Sequence, residues 1–329
     1  MPFNPDRYKS MPYRRCGNSG LRLPAISLGL WQGTGSYVDD AASKRIVFTA
    51  FDHGITHFDL ANNYGNPGGA SESLFGRILK EMPRHEVVVS TKAGYGMWPG
   101  PYGDGGGRKY LIESCEQSLA RLGLDHVDIF YSHRFDPETP LDETMGALET
   151  LVRQGKALYA GISNYPDPHF TQAVNIMRAR SWSPITIHQP LYNMFNRSPE
   201  HEVLPTAGRE DIGVITFSPL AQGLLTDKYL NGIPADSRAA ANKGNGALIG
   251  NWVTPELVAK VRRLDMLAKA RGQSLAQMAL AWVLRDQRVT SAVIGASRPE
   301  QVTDCVGSLR NLAFRVDELV AIEQILGQP

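Results

Sequence analysis

Four residues in the first half of the sequence, Asp59, Tyr64, Lys92 and His133, combine a carboxylate, a phenol, an amine and an imidazole. A phenol has a pKa near 10 and is a poor acid at neutral pH, but a neighbouring ammonium favours the phenolate and lowers that pKa. We expect Asp59 to keep Lys92 charged and Lys92 to make Tyr64 more acidic. Tyr64 can then give a proton to a carbonyl oxygen as hydride reaches the carbon, while His133 donates a hydrogen bond to that oxygen.

The elements around these residues predict that they meet. Short β-branched runs recur along the chain, and longer segments with the apolar spacing of helices lie between them. Eight strands are predicted, at residues 26–31, 57–61, 87–92, 127–133, 157–163, 185–189, 213–218 and 289–295. Helices are predicted at residues 41–53, 110–122 and 141–154. Asp59, Lys92 and His133 lie at the ends of three successive strands, and such ends converge on one face of a barrel.

Strand–helix units that repeat eight times favour an α/β fold, a single (β/α)₈ TIM barrel that forms one domain over residues 1–329. An open α/β sheet with a second domain is the alternative. An N-terminal β-hairpin is predicted at residues 13–23 and is expected to cover the bottom of the barrel. Long loops are predicted after strands 3 and 7, at residues 94–108 and 219–252.

The composition excludes several classes of protein. With 42% hydrophobic residues in 329, the chain can bury a full core, and a net charge of +1 argues against a nucleic-acid partner. The N-terminus lacks the apolar run of a signal peptide, and no stretch reaches the roughly 20 apolar residues of a membrane helix, so no membrane contact is expected. Cys16, Cys115 and Cys305 are widely spaced, which argues against a disulfide framework or a metal site and favours the reduced cytoplasm.

Residues 55–65 (ITHFDLANNYG) resemble the signature of the aldo-keto reductase family. Residues 90–92 and 131–134 are similar to the segments that contain the family's lysine and histidine. The resemblance extends from about residue 13 to the last helix. It implies an NADPH-dependent carbonyl reductase on a (β/α)₈ barrel. The four catalytic positions of the family are then Asp59, Tyr64, Lys92 and His133.

The resemblance also implies a binding site for NADPH/NADP⁺. Ser163, Asn164 and Gln189 match positions that hydrogen-bond the nicotinamide carboxamide, and Tyr192 matches an aromatic residue that stacks on the nicotinamide ring. Residues 218–224 are similar to a loop that covers the pyrophosphate.

Residues 295–301 resemble the family's adenosine-binding segment. Ser297 and Arg298 are implied to hold the 2′-phosphate there, which favours NADPH over NADH. Asp304 and Cys305 depart from the Glu and Asn that are common in the family at these positions. The full set implied to contact the cofactor is Trp31, Asp59, Ser163, Asn164, Gln189, Tyr192, Ser218, Leu220, Gln222, Gly223, Lys228, Arg238, Gly295, Ser297, Arg298, Gln301 and Asp304.

A pocket for a small aldehyde is expected at the same face, since aromatic residues lie among glycine and proline in the loop after strand 3. The residues expected to bind the substrate are Trp31, Tyr64, Trp98, Tyr102 and His133. Arg108, Lys109 and Arg134 either contact a phosphate group on the aldehyde or form a solvated basic group. Candidate substrates are L-glyceraldehyde 3-phosphate and methylglyoxal.

Within the family, residues 29–31 and 91–103 are similar to the branch that contains potassium-channel β-subunits and bacterial reductases of small phosphorylated aldehydes, and to the reductases in particular. His133 favours an enzyme, because channel β-subunits depart from histidine at that position. The alternative is an NADPH-binding regulatory module, similar to the β-subunits, with slow turnover. The branch also implies a homo-oligomer.

Overall fold

The computed structural model describes residues 3–31, 38–235, 237, 240 and 253–327. Its strands are β1 (Tyr13–Arg15), β2 (Arg22–Pro24), β3 (Ile26–Gly29), β4 (His57–Asp59), β5 (Val88–Ala93), β6 (Val127–Ser132), β7 (Ala157–Ser163), β8 (Ile185–Gln189), β9 (Gly213–Thr216) and β10 (Val289–Ile294). Its α-helices are α1 (Asp40–Asp52), α2 (Ala70–Leu79), α3 (Arg108–Leu122), α4 (Leu141–Arg153), α5 (His169–Ala179), α6 (Val203–Arg209), α7 (Pro255–Ala270), α8 (Leu275–Leu284), α9 (Pro299–Gly307) and α10 (Val316–Leu326).

Strands β3 to β10 form a closed parallel barrel in chain order, because β10 pairs with both β9 and β3. The predicted (β/α)₈ barrel is therefore confirmed, and the open sheet is wrong. Helices α1, α2, α3, α4, α5, α6 and α8 connect successive strands, and α9 follows the last one. Predicted strand 57–61 ends at Asp59, and predicted strand 213–218 ends at Thr216.

The hairpin of β1 and β2 closes the N-terminal end of the barrel, as expected. Cys16, Leu21 and Leu23 are buried in one cluster with Ile129, Tyr131, Ile187, Ile215 and Val293 from inside the barrel. Cys16 packs so closely against Gly213 that a Cβ atom on residue 213 would lie 2.1 Å from the sulfur of Cys16. The bottom is therefore sealed by apolar packing, and the opposite, C-terminal end stays available for a site.

The interior of the barrel is divided into an apolar half and a polar half. Side chains at alternate positions of a strand share one face, so β4 and β5 each direct two polar residues inward. These residues and their neighbours on β10 and β3 are all at most 2% exposed: Ser291, Ser27, His57, Asp59, Ser90 and Lys92. The apolar half contains branched and aromatic residues of β6, β8 and β9 from the cluster under the hairpin, together with Val293 of β10.

The outer helices are fixed by local caps and by one another. The Asp39 side chain accepts a 2.8 Å hydrogen bond from Ala42 N at the start of α1, and Ser274 with Gln277 forms a capping box at α8. Helix α1 packs against α9, which closes the ring of helices, and α10 packs against α7. Within the described ranges, no helix has both the length and the apolar character needed to cross a bilayer.

Candidate active site

Asp59 and Lys92 form a buried ion pair at the mouth of the barrel. Lys92 Nζ donates to Asp59 Oδ2 at 2.6 Å and to the Leu60 carbonyl at 2.7 Å. The other carboxylate oxygen, Oδ1, accepts from Ser90 Oγ at 2.6 Å and from Gln189 Nε2 at 3.1 Å. Burial lowers the pKa of Lys92, and the charge and hydrogen bond of Asp59 oppose that effect. Because both carboxylate oxygens are occupied, the ammonium is fixed in place.

Tyr64 lies in the loop after β4 and is half-buried. Its ring centroid is 5.2 Å from Lys92 Nζ and 5.9 Å from the centre of the His133 ring. Burial, followed by the charges of Asp59 and Tyr95, raises the pKa of Tyr64 well above 10. The direction is opposite to the one expected from the ammonium alone, because burial has the largest effect on this pKa and the charge of Asp59 adds to it. The phenol is therefore protonated at neutral pH.

His133 follows β6 directly and is 7% exposed. Burial, and then the charges of Lys92 and Arg134, holds the pKa of His133 well below 6.5, so the imidazole is neutral at pH 7 and has one N–H to donate. Its backbone is held from the next strand, since Asn164 Nδ2 donates to the His133 carbonyl at 3.1 Å. The structure thus brings the side chains of Asp59, Tyr64, Lys92 and His133 to one mouth, as the sequence predicted.

Three of the predicted cofactor residues form a connected group beside these four. Ser163 Oγ donates to the Gln189 carbonyl at 2.8 Å, and Asn164 Nδ2 lies 3.1 Å from Ser163 Oγ. Asn164 has a φ of 54°, a left-handed conformation that asparagine tolerates better than most residues. Trp31 is half-buried, with its ring centre 6.3 Å from that of Tyr64. Ser163 and Gln189 are 1% and 2% exposed, so Asn164 and Trp31 are the accessible members of this group.

Tyr192 is placed elsewhere. It is 0% exposed and packs against Trp282 with ring centres 5.5 Å apart. Its hydroxyl donates to Glu200 Oε1 at 2.6 Å and accepts from Arg285 Nη1 at 3.0 Å. This ring has no free face for a ligand, so the expected stacking role of Tyr192 is wrong.

Phe217 is the half-buried aromatic residue that follows β9 at the mouth of the barrel. It pairs with Leu191 in a parallel bridge, so it is held at the same rim. Phe217 lies inside the predicted strand 213–218 and has no predicted role. Its position directly before the polar loop at residues 218–224 is the signal that could have identified it.

The loop after Phe217 has an unusual backbone. Ser218, Ala221 and Gln222 have φ values of 52°, 46° and 57°, a region that residues other than glycine rarely adopt and that marks ligand-binding loops. Gln222 Oε1 is buried without a hydrogen-bond partner among the described residues. Leu220 and Gly223 are partly exposed. These features fit a loop that closes on a polar ligand.

Two basic residues that follow this loop, Lys228 and Arg238, are among those predicted to contact the cofactor. Lys228 is exposed in the short 3₁₀ turn Asp227–Tyr229. Arg238 lies outside the described residues.

The start of α9 exposes Gly295, Ser297 and Arg298, as the predicted adenosine segment requires. Gln301 is not free, because its Oε1 accepts from Ser297 N at 2.8 Å and from Arg298 N at 3.2 Å. Asp304 is also engaged. It accepts from two residues at the start of α8: Gln277 Nε2 at 2.7 Å and Ser274 Oγ at 3.1 Å. The exposed side chains of Ser297 and Arg298 therefore present the accessible polar groups of this segment.

The loop after β5 places Tyr95, not Tyr102, against the site. The Tyr95 ring lies edge-on to His133 at 4.7 Å and is 39% exposed. Tyr102 is 57% exposed, and the ring contact found for it is with Lys109. Trp98 packs on Tyr110, at 5.1 Å. Sequence reasoning missed Tyr95 because a loop residue next to Gly94 carries no periodic signal.

Two of the three predicted basic residues, Arg108 and Arg134, have different surroundings. Arg108 donates to the Gly146 carbonyl at 2.8 Å and to Thr150 Oγ1 at 2.9 Å, so its guanidinium is bound to the outer helix α4. Arg134 lies over the ring of Tyr95, at 5.4 Å, and pairs with Asp104 at 3.0 Å. The expectation that Arg108 contacts a substrate phosphate is therefore wrong, and Arg134 is the basic residue at the mouth.

A parallel barrel with a buried carboxylate–ammonium pair beside a phenol and a neutral imidazole combines a proton donor with fixed positive charge, as an enzyme that reduces carbonyl groups requires. The profile of the Aldo/keto reductase family matches residues 25–326, and the chain belongs to this family and is an oxidoreductase. The family generally uses NAD(P)H.

Three relatives illustrate the range of similarity. The chain is 53% identical over 328 residues to the L-glyceraldehyde 3-phosphate reductase of Escherichia coli (strain K12), covering 98% of this chain and 94% of the relative. It is 37% identical to a probable voltage-gated potassium channel subunit beta of Arabidopsis thaliana, covering 89% and 90% of the two chains. It is 35% identical to a putative voltage-gated potassium channel subunit beta of Schizosaccharomyces pombe, covering 97% and 94%.

Proposed function

We propose that the protein reduces small aldehydes to alcohols with NADPH, and that Tyr64 is the general acid. The position of the Tyr64 ring carries this proposal. Its centroid lies 5.2 Å from the Lys92 ammonium and 5.9 Å from the centre of the His133 imidazole. Because burial raises the pKa of Tyr64, the phenol has a proton to give at neutral pH.

The chemistry follows from the charges of these groups. When bound, the reduced nicotinamide supplies a hydride to the carbonyl carbon. Tyr64 gives its hydroxyl proton to the carbonyl oxygen as negative charge develops there, and the Lys92 ammonium stabilises the phenolate that remains. Neutral His133 donates a hydrogen bond to the same oxygen and so orients the carbonyl group. The aldehyde thus gains one hydride at its carbon and one proton at its oxygen, which gives the alcohol.

Several features support NADPH as the cofactor. Phe217 offers a half-buried ring at the rim, where its backbone N–H donates to the Pro190 carbonyl at 3.1 Å, and the left-handed loop contains Gln222 Oε1, which is buried without a partner among the described residues. Arg298 is exposed at the start of α9, where a guanidinium and a helix N-terminus both favour a phosphate group. Binding of the 2′-phosphate at this position would favour NADPH over NADH.

The proposed substrates are small aldehydes such as L-glyceraldehyde 3-phosphate and methylglyoxal. The relative from Escherichia coli is named for the first of these, and Arg134 is a partly exposed guanidinium near His133 that suits a phosphate group. Tyr95 supplies an aromatic wall between Arg134 and His133.

The test is to replace Tyr64 with phenylalanine. A positioned general acid contributes about 10² to 10⁴ in rate, so Tyr64→Phe should lower kcat at least about 100-fold. The dissociation constant of NADPH should stay within about twofold. Tyr102→Phe is the matched control, since it removes a phenol that is 57% exposed, and it should turn over normally. Normal turnover by Tyr64→Phe would reject the assignment.

A regulatory module similar to the channel subunits is the second candidate, favoured by the similarity to two relatives with that name. The edge-on contact of His133 with Tyr64 favours the enzyme. Steady-state oxidation of NADPH by aldehydes distinguishes the two, because the module would bind NADPH and turn over only slowly.

Two further expectations stay predictions. A reduced, cytoplasmic location is supported by three free, buried cysteines, and burial raises the pKa of each thiol to about 12. A homo-oligomer is the other, and sedimentation of the purified protein tests it.

A further inference from the structure

A continuous chain of hydrogen bonds runs through the polar half of the barrel and ends on Asp59. Ser291 Oγ lies 2.6 Å from Ser27 Oγ, and Ser27 Oγ lies 2.9 Å from His57 Nδ1. His57 Nε2 lies 2.9 Å from Ser90 Oγ, which donates to Asp59 Oδ1 at 2.6 Å. The first four of these residues are 0% exposed and Asp59 is 2% exposed. Water therefore does not compete for these bonds.

The ionised carboxylate sets the direction of every bond in the chain. A carboxylate only accepts, so Ser90 spends its one hydroxyl proton on Asp59 and must accept from His57 Nε2–H. Neutral His57 then accepts at Nδ1 from Ser27, and Ser27 accepts from Ser291. Burial lowers the pKa of His57 to about 4, which keeps the ring neutral. Each donor in the chain therefore points toward Asp59.

Packing alone does not require this chain. Burying hydroxyl and imidazole groups costs free energy unless every bond is made, and the other half of the same barrel is filled by Ile129, Ile187 and Ile215. The polar half contains the Asp59–Lys92 pair, which lies on β4 and β5. The presence of buried polar residues in this half is therefore explained by their hydrogen-bonded connection to that pair.

We propose that His57 is a positioning residue, which acts through Ser90 to fix the Asp59 carboxylate that holds Lys92 beside Tyr64. The inference rests on the proposed function, because the Lys92 ammonium matters as the partner of a phenol that loses its proton. The charges that act on the pKa of His57 are those of Asp59, Lys92 and Asp128. Among these, Asp59 is linked to His57 through Ser90.

Two substitutions of similar length separate positioning from packing. His57→Met removes both bonds, whereas His57→Gln keeps one acceptor and one donor that can preserve the direction of the chain. The loss of a hydrogen bond between neutral groups corresponds to at most about tenfold in rate. We expect His57→Met to lower kcat about tenfold, with the KM of the aldehyde and the Kd of NADPH within about twofold of the parent. His57→Gln should recover most of that loss.

Serine variants keep the proposal testable if the histidine variants fold poorly. Ser90→Ala cuts the link to Asp59 and should lower kcat about as much as His57→Met, while Ser27→Ala, one bond farther away, should lower it less. Ser118→Ala is the matched control, a 0% exposed serine on α3 that bonds to Arg121 and not to the chain. It should keep the parent kcat. Loss of activity in Ser118→Ala equal to that in Ser90→Ala would overturn the role.

A spectroscopic readout makes the test independent of turnover. The nitrogen chemical shifts of His57 in ¹⁵N-labelled protein should show a neutral ring with the proton on Nε2, and the Nδ1–H tautomer or a charged ring at pH 7 would overturn the chain. Parent protein that does not oxidise NADPH with any aldehyde rejects the proposed function. Active parent protein with an unchanged kcat in His57→Met and Ser90→Ala rejects the positioning role alone.

Discussion

The Nζ atom of Lys92 lies 2.6 Å from Oδ2 of Asp59, and the side chains of the pair are 0% and 3% exposed. The same ammonium lies 5.2 Å from the centre of the Tyr64 ring. Lys92 therefore satisfies a buried carboxylate and also presents positive charge to a phenol. These two roles can be separated by experiment, because the first concerns stability and the second concerns turnover.

Lys92→Met should lower both the free energy of unfolding and the kcat. It leaves the Asp59 carboxylate buried without its charged partner, which typically costs about 3 to 5 kcal/mol. The double variant Asp59→Asn/Lys92→Met removes the unpaired charge, so it should regain much of the stability but none of the activity. Urea unfolding and NADPH oxidation measure the two effects. A double variant as unstable as Lys92→Met would show that lost packing, and not the unpaired charge, dominates.

Acid should destabilise the protein through its buried histidines. Burial lowers the pKa of His57 to about 4 and that of His188 to about 3, whereas the unfolded value is about 6.5. The unfolded chain thus binds more protons below pH 6.5, and stability falls as the pH drops from 6.5 toward these values. Each histidine should cost on the order of 2 kcal/mol between pH 7 and pH 5.

Urea unfolding at the two pH values tests this, with His57→Gln as the comparison. The variant should lose less stability than the parent on acidification, by on the order of 2 kcal/mol. The matched control is His201→Gln, which changes an exposed histidine and should lose as much stability as the parent over the same pH range. An identical pH dependence in parent and His57→Gln would contradict the expected shift of the His57 pKa.

Much of the site could be predicted because it follows from strand geometry. Asp59 and Lys92 lie at the ends of strands whose pairing register is fixed, with Asp59 opposite Ser90. A parallel barrel brings such ends together whatever the helices do. The pairing of Asp59 with Lys92 on the next strand could also be predicted, from the order of the strands and the alternation of side chains along them.

The errors concern residues whose direction depends on packing between distant elements. Arg108 begins α3, and its guanidinium turns to α4 because carbonyl and hydroxyl acceptors are available there. Tyr192 is buried because Glu200 and Arg285, 8 and 93 residues away, satisfy its hydroxyl. The pKa of Tyr64 had the wrong expected direction, since the cost of burial depends on a depth that no local pattern encodes.

Arg134 should recognise a phosphate group on the substrate. Its guanidinium is at the mouth, 5.4 Å from the centre of the Tyr95 ring, whereas the guanidinium of Arg108 is bound to α4. Arg134→Ala should lower kcat/KM for L-glyceraldehyde 3-phosphate about tenfold more than for glyceraldehyde, since charge-assisted bonds to phosphate are strong. Arg108→Ala, the matched control, should change the ratio by less than about twofold. Equal losses of kcat/KM on both substrates in Arg134→Ala would exclude the phosphate role.

Phe217 and Tyr192 should respond to substitution in opposite ways. Phe217 is half-buried at the rim, so Phe217→Ala should weaken NADPH binding about tenfold, through lost stacking and lost apolar contact, with little change in stability. Tyr192 is buried, and Tyr192→Phe removes a hydroxyl bonded to Glu200 and Arg285. It should lower the free energy of unfolding by about 1 to 3 kcal/mol and leave the Kd of NADPH unchanged. Fluorescence titration with NADPH and urea unfolding of both variants measure this contrast. A Tyr192→Phe variant that folds normally but binds NADPH weakly would restore the stacking role to Tyr192 and remove it from Phe217.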